Sequence, residues 1–75
     1  MSNETQAYDV LVQVRFHPDG KVWQINERPD GVDVQSWFDH LCKVQGKNFR
    51  ALSGGRGSFQ LSADEVADAR QSFVA

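Results

Sequence analysis

Residues 8–25 of the chain read YDVLVQVRFHPDGKVWQI, and this stretch decides the fold. Apolar side chains take every second position from Tyr8 to Phe16, which is the pattern of a strand with one buried face. The Pro-Asp-Gly sequence at residues 18–20 is typical of a tight turn, and the residues after it predict a partner strand at residues 21–27. We therefore expect the fold to begin with a β-hairpin.

The turn leaves two registers open for this hairpin. Proline before Asp-Gly favours a type I turn followed by a left-handed Gly20, which makes a three-residue loop closed by His17 and Lys21. A two-residue loop of Asp19 and Gly20 is the alternative. Because successive side chains of a strand point to opposite faces, this one-residue slip reverses every side chain of the second strand.

The register decides whether Trp23 is exposed. In the three-residue register Phe16 pairs with Val22, and Trp23 then lies on the opposite face, where Arg15 can cover its ring. Exposed apolar patches of this kind usually mark interfaces. We therefore expect a partner-binding surface, which consists of Leu11, Arg15, Trp23 and Ile25. In the two-residue register the apolar members of this set belong to the core.

A helix is predicted after a second Pro-Asp-Gly turn, at residues 29–31, which ends the hairpin. Asp33 is a good N-cap, and apolar residues at helical spacing predict a helix over residues 34–45. Gly46 stands where the C′ glycine of a helix belongs. The apolar stripe of this helix consists of Val34, Trp37, Phe38, Leu41 and Cys42.

The last third of the chain predicts a second hairpin and a second helix. Residues 49–53 and 58–61 are strand candidates around a glycine-rich turn at residues 54–57. Ser62 and Glu65 form a capping box, the clearest helix start in the chain. The order ββαββα predicts the α+β class: a small antiparallel sheet of about four strands with two helices on one face.

Size and composition indicate one globular domain. The chain has 75 residues, 40% of them hydrophobic, and a formal net charge of −2. We expect residues 1–7 to form a disordered tail and residues 8–75 to form a single α+β domain. The first seven residues lack the apolar core of a signal peptide, and no run approaches the length of a membrane span. The expected location is cytoplasmic, with no membrane partner.

Catalytic and metal-binding signals are weak. His17 adjoins a tight turn, while His40 and Cys42 stand two positions apart on the predicted helix and therefore point to different faces. The place of Cys42 on the apolar stripe indicates a buried, inert thiol. One cysteine and two histidines are too few for a usual structural zinc site. We expect no catalytic residues, no metal and no cofactor.

The charge distribution predicts a second candidate site. Between residues 40 and 63 the chain has four basic residues and no acid, whereas the remainder has four basic and ten acidic residues. The segment also contains Phe49 and Phe59. Its basic side chains would therefore contact phosphates, while an aromatic ring would stack on a base. A solvated hairpin with basic edges is the other interpretation. The nucleic-acid-binding candidates are Lys43, Lys47, Arg50 and Arg56.

These features predict a small non-catalytic protein-binding or accessory module. Its partner is a second copy of the chain or a larger protein, and the exposed sheet face is the expected contact surface. A two-fold homodimer would make that face self-complementary. The alternative is a nucleic-acid-binding module that uses the basic second hairpin at residues 43–57.

The cap of the second helix gives a first prediction. Ser62→Ala removes the acceptor for an early backbone N–H, and we expect it to lower the free energy of unfolding by about 1 kcal/mol. Urea denaturation followed by circular dichroism measures this loss. An unchanged midpoint and slope would contradict the assignment of Ser62 as the N-cap.

Overall fold

Four strands form one antiparallel sheet, and two helices cover one of its faces. The computed structural model describes residues 10–73, so the predicted tail at residues 1–7 lies outside the described residues. The strand order is β2-β1-β4-β3. This architecture confirms the predicted α+β class and the order ββαββα. The elements are β1 (Val10–Phe16), β2 (Val22–Ile25), α1 (Val34–Gln45), a 3₁₀ turn (Gly46–Asn48), β3 (Phe49–Leu52), β4 (Arg56–Leu61) and α2 (Ala63–Ser72).

Of the two registers left open for the first hairpin, the structure has the three-residue loop, which the turn chemistry favours. The His17 N–H donates to the Lys21 carbonyl (2.7 Å), and the Gly20 N–H donates to the His17 carbonyl (2.8 Å). Gly20 has φ 93°, in the left-handed region that the turn requires. Phe16 pairs with Val22, as expected for this loop.

A β-bulge at Trp23 corrects the prediction for Ile25. Adjacent residues of β1 pair with Val22 and Gln24, so Trp23 is an extra residue without a partner on β1. The extra residue shifts the alternation by one position, and both Val22 and Ile25 are buried while Trp23 and Gln24 are exposed. Ile25 is only 5% exposed and belongs to the core. The predicted exposure of Ile25 is therefore wrong, because it assumed an unbroken alternation.

Helix α1 spans the predicted residues but ends differently from the prediction. The Asp33 carboxylate accepts from the Ser36 N–H (3.1 Å), which confirms the N-cap. Gly46 is the C-cap residue with φ −58° and not a left-handed C′ glycine, and the chain continues into the 3₁₀ turn. The Phe49 N–H then donates to the Gly46 carbonyl, and this bond leads the chain directly into β3.

Helix α2 begins with the predicted capping box. The Ser62 hydroxyl accepts from the Glu65 N–H (3.2 Å), and the Glu65 carboxylate accepts from the Ser62 N–H (2.9 Å). The helix contributes Val66 and Ala69 to the core. Neither α1 nor α2, the helices of the described part of the chain, is long and apolar enough to cross a membrane.

The core lies between the helices and the covered face of the sheet. Its largest fully buried side chains are Trp37, Phe59, Leu41, Leu61, Val12 and Val14. An aromatic cluster extends it toward the edge strand β3, where the half-buried Phe38 contacts three other rings edge to face. Its ring centroid lies 5.3 Å from that of Phe16, 5.6 Å from Phe49 and 6.0 Å from Phe59.

Gly57 lies beneath this aromatic cluster and gives the second prediction. A Cβ at this position would lie 2.7 Å from two Phe49 ring atoms and 3.1 Å from the Phe16 ring. Both rings are packed against other rings, so we expect Gly57→Ala to lower the free energy of unfolding by about 1–3 kcal/mol. Thermal and urea denaturation measure the change.

Gly46→Ala is the matched control for this substitution. Gly46 has a right-handed φ and no atom within 4 Å of an added Cβ. We therefore expect Gly46→Ala to leave stability unchanged or to raise it by about 0.4–1 kcal/mol. Equal stability of the two variants would contradict the close packing at Gly57.

Candidate functional site

No described residue covers the face of the sheet opposite the helices. Side chains that alternate with the core residues reach it from all four strands. We call this surface the open face. Its described residues are Leu11, Gln13, Arg15, Trp23, Gln24, Arg50, Leu52, Arg56, Ser58 and Gln60.

Strand pairing brings three arginines together on the open face. Arg15 of β1 and Arg56 of β4 are Cα partners, directly opposite each other across the two central strands. Opposed side chains of this kind have Cβ atoms about 4.5–5.5 Å apart. Arg50 of β3 pairs with Ser58, which lies two positions along β4 from Arg56. The three guanidinium groups therefore come from three neighbouring strands.

No acidic side chain balances these arginines on the described strands. None of β1 to β4 contains Asp or Glu. Within residues 10–73 the one ion pair joins Arg70 of α2 to Glu27, at 3.3 Å. The Arg56 Nε donates to the Ser53 carbonyl (3.1 Å), whereas the Arg15 and Arg50 side chains bond no other described residue. Arg15 and Arg50 therefore present their donors to solvent.

The strands and the helices of the described chain carry charge of opposite sign. The described strands carry three arginines and no acid, whereas the two helices carry four acids and two basic residues. The other described acids, Asp19, Glu27, Asp30 and Asp33, lie in loops. The strands are therefore positive, although the net charge of the whole chain is −2. A separation of this kind orients a charged partner toward one face.

Large apolar side chains surround the arginines. Trp23 on the edge strand β2 is 48% exposed, Leu52 on the edge strand β3 is 47% exposed, and Leu11 at the far end of β1 is 43% exposed. The centre of the open face is polar, because β1 and β4 contribute Gln13, Arg15, Arg56 and Ser58 there. The predicted contiguous patch of Leu11, Trp23 and Ile25 is thus not formed.

Two depressions lie side by side on the open face. The first is lined by Trp23, Gln24 and Asn26 on the β2 side. The second extends over β4 toward β3 and is lined by Leu11, Ser58, Arg56 and Leu52. Both are also lined by Gln13 and Arg15, so these side chains of β1 stand between the two depressions.

The structure merges the two predicted sites into one surface. Of the expected partner-binding residues, Leu11, Arg15 and Trp23 lie on the open face and Ile25 lies in the core. Of the expected nucleic-acid-binding residues, Arg50 and Arg56 lie on the open face. Lys47 precedes β3 and lines a further depression with Arg50, whereas Lys43 is on α1 and belongs to the other layer.

The aromatic residues predicted to stack on a base are in the wrong layer for that role. Phe59 is fully buried, and the half-buried Phe49 packs against it at 5.0 Å on the covered face. The exposed aromatic ring on the open face is Trp23 instead. The pairing of Arg15 with Arg56 was not predicted either, because strands so distant in the chain pair without a local sequence signal.

The remaining chemical groups are explained by packing. The Cys42 thiol is half-buried, and desolvation raises its pKa, with the Asp39 carboxylate raising it further. A raised pKa keeps the thiol protonated and unreactive at neutral pH. The His40 Nε2 lies 2.9 Å from the Ala69 carbonyl and 3.0 Å from the Ser72 hydroxyl, which joins α1 to α2. No three His, Cys, Asp or Glu side chains of residues 10–73 are placed to hold a metal ion.

No protein-family model, curated protein or solved structure matches the chain. Its function is therefore inferred from the residues and geometry of the open face.

The arginine pair gives the third prediction, which concerns stability. Like charges directly opposite on neighbouring strands destabilise a sheet by about 0.2–1 kcal/mol. We therefore expect Arg15→Gln to raise the free energy of unfolding slightly in low salt, with a smaller gain at about 1 M salt, where the charges are screened. Urea denaturation at the two salt concentrations measures both effects. A loss of more than about 1 kcal/mol, the scale of a lost hydrogen bond, would show that Arg15 has a structural role.

Proposed function

We propose that the protein is a small non-catalytic binding module whose open face binds nucleic acid. The proposal rests on the placement of Arg15, Arg50 and Arg56 on one face of the sheet. The described strands of this sheet contain no acid. The proposal places the protein in the cytoplasm, as the sequence predicts.

The arginines of the open face are suited to phosphate. A guanidinium group donates two parallel hydrogen bonds to phosphate oxygens, and it is the common side chain wherever such planar recognition is needed. The Arg15 and Arg56 pair costs stability, since neither side chain has an acidic neighbour on the described strands. A ligand with regularly spaced negative charges compensates for that cost.

The polar centre of the open face argues against a homodimer. Protein interfaces have an apolar centre and a polar rim, whereas here Arg15 and Arg56 of the central strands separate Trp23 and Leu52 of the two edge strands. Two-fold pairing of this face would also bring six arginines together. Like-charge contacts of this kind suppress association.

A larger protein with an acidic surface is the second candidate partner. Three of the four large exposed hydrophobic residues among residues 10–73 lie on the open face, and the fourth is Val44 of α1. Tryptophan and arginine are the side chains that most often dominate binding energy at protein interfaces. In this case the protein is an accessory module that docks through Trp23 and the arginines.

The fourth prediction tests nucleic-acid binding through the arginines. We expect Arg15→Gln, Arg50→Gln and Arg56→Gln each to weaken binding of all sequences alike and to lower the slope of log K against log salt by about 1. The probes are a fluorescein-labelled RNA 20-mer and the DNA of the same sequence, each as a single strand and as a duplex. Fluorescence anisotropy between about 50 and 200 mM salt measures affinity over the range where phosphate contacts dominate.

Lys43→Gln is the matched control, because it removes one positive charge from the helix layer. We expect it to leave affinity unchanged. No binding of any probe at about 50 mM salt would contradict the proposal.

Photo-crosslinking in cells tests the second candidate, an acidic protein partner. A photo-crosslinking residue replaces Gln24 on the open face, and the same residue at position 43 on α1 is the control.

A further inference from the structure

We infer that the nucleic acid is single-stranded and crosses the open face with one unpaired base stacked on Trp23. This inference rests on the proposed function and assigns the class of nucleic acid. Three observations carry it: the exposure of Trp23, the width of the sheet, and the two depressions on either side of Arg15, one beside Trp23 and one beside Arg56.

Trp23 is placed for stacking by the three-residue loop. Because Val22 pairs with Phe16 and is buried, the next side chain, Trp23, lies outside the core, and the bulge then returns Ile25 to the core. The indole is 48% exposed, whereas the other tryptophan, Trp37, is fully buried. The His17 ring lies beside it, with centroids 6.2 Å apart and planes at 41°. Exposed aromatic rings next to basic side chains are the stacking platforms of single-strand-binding proteins.

The width of the sheet does not match the major groove of a duplex. Four strands spaced about 4.8 Å apart span about 14 Å, which exceeds the 12 Å major groove of B-DNA. That groove admits an α-helix or a two-stranded ribbon, and the two helices carry four acids against two basic residues. An undeformed duplex therefore offers the open face mainly its phosphates, whereas a single strand also offers its bases.

The two depressions indicate the path of the strand. It begins beside Trp23 on β2, crosses Arg15 on β1 and continues beside Arg56 on β4. Arg50 on β3 extends the positive charge to the far edge. A path of about 14 Å accommodates a short run of a single strand. The side chains of Gln13, Gln24 and Ser58 lie along this path and can bond base edges.

The test compares one sequence as a single strand and as a duplex. A fluorescein-labelled RNA 12-mer of mixed sequence is titrated alone and annealed to its complement, at about 50 mM salt. We expect the single strand to bind at least about tenfold more tightly than the duplex. Trp23→Ala is expected to weaken single-strand binding by about 5- to 150-fold, with the salt slope unchanged, because stacking releases no counterions.

Three further variants make the result specific to the aromatic ring. Trp23→Phe keeps a ring and should retain most of the affinity, whereas Trp23→Leu keeps apolar volume and should behave like Trp23→Ala. Val44→Ala removes a large exposed side chain from α1 and should have no effect. Thermal denaturation of each variant reports its folding, and Trp23→Leu replaces Trp23→Ala as the test if the latter unfolds.

The outcomes separate this inference from the proposed function. Duplex binding as tight as single-strand binding, or a Trp23→Leu variant that binds like wild type, would overturn the single-strand assignment. If Arg15→Gln still weakens binding in that case, the proposed function stands. The absence of all RNA and DNA binding would overturn both and favour the acidic protein partner.

Discussion

The antiparallel pairing of β1 with β4 is the constraint on which the rest of the structure depends. It joins two hairpins that are separated in the chain by a helix, and it makes them the centre of one sheet. On the covered face it places Val12 opposite Phe59, at the middle of the core. On the open face the same pairing places Arg15 opposite Arg56. The same strand pairing therefore determines both the core and the candidate binding surface, because side chains alternate between the two faces.

The bulge at Trp23 resolves a conflict between two local preferences. The turn chemistry demands a three-residue loop, and the hydrophobic effect demands burial of Val22 and Ile25, which an unbroken strand would place on opposite faces. One extra residue satisfies both demands, because it returns Ile25 to the core. Trp23 stays outside, where the loop alone already places it. Its exposed indole supplies the aromatic surface beside the arginines.

Local features of the fold were predictable from the sequence because their causes are local. The caps at Asp33 and Ser62 depend on residues three positions apart, and both are confirmed. The loop after His17 was left open between two registers, and the structure has the three-residue one that the turn chemistry favours. The Gly46 prediction is wrong because the chain leaves α1 through a 3₁₀ turn that leads directly into β3. Packing against distant elements, which a local pattern does not contain, decides such endings.

The candidate site likewise combines features that the sequence predicts with features that only the tertiary structure produces. The sequence by itself determined the class of fold, the two helices and the residue types that bear charge, because these follow from capping and periodicity. Turn chemistry favoured the three-residue loop but left the alternative register open. Tertiary structure alone decided that Arg15, Arg50 and Arg56 share one face, that Lys43 lies in the other layer and that Ile25 is buried. The physical reason is that strand order and register are set by the burial of one shared core. The same strand order and register then determine which side chains share the opposite face, and no local sequence pattern indicates this.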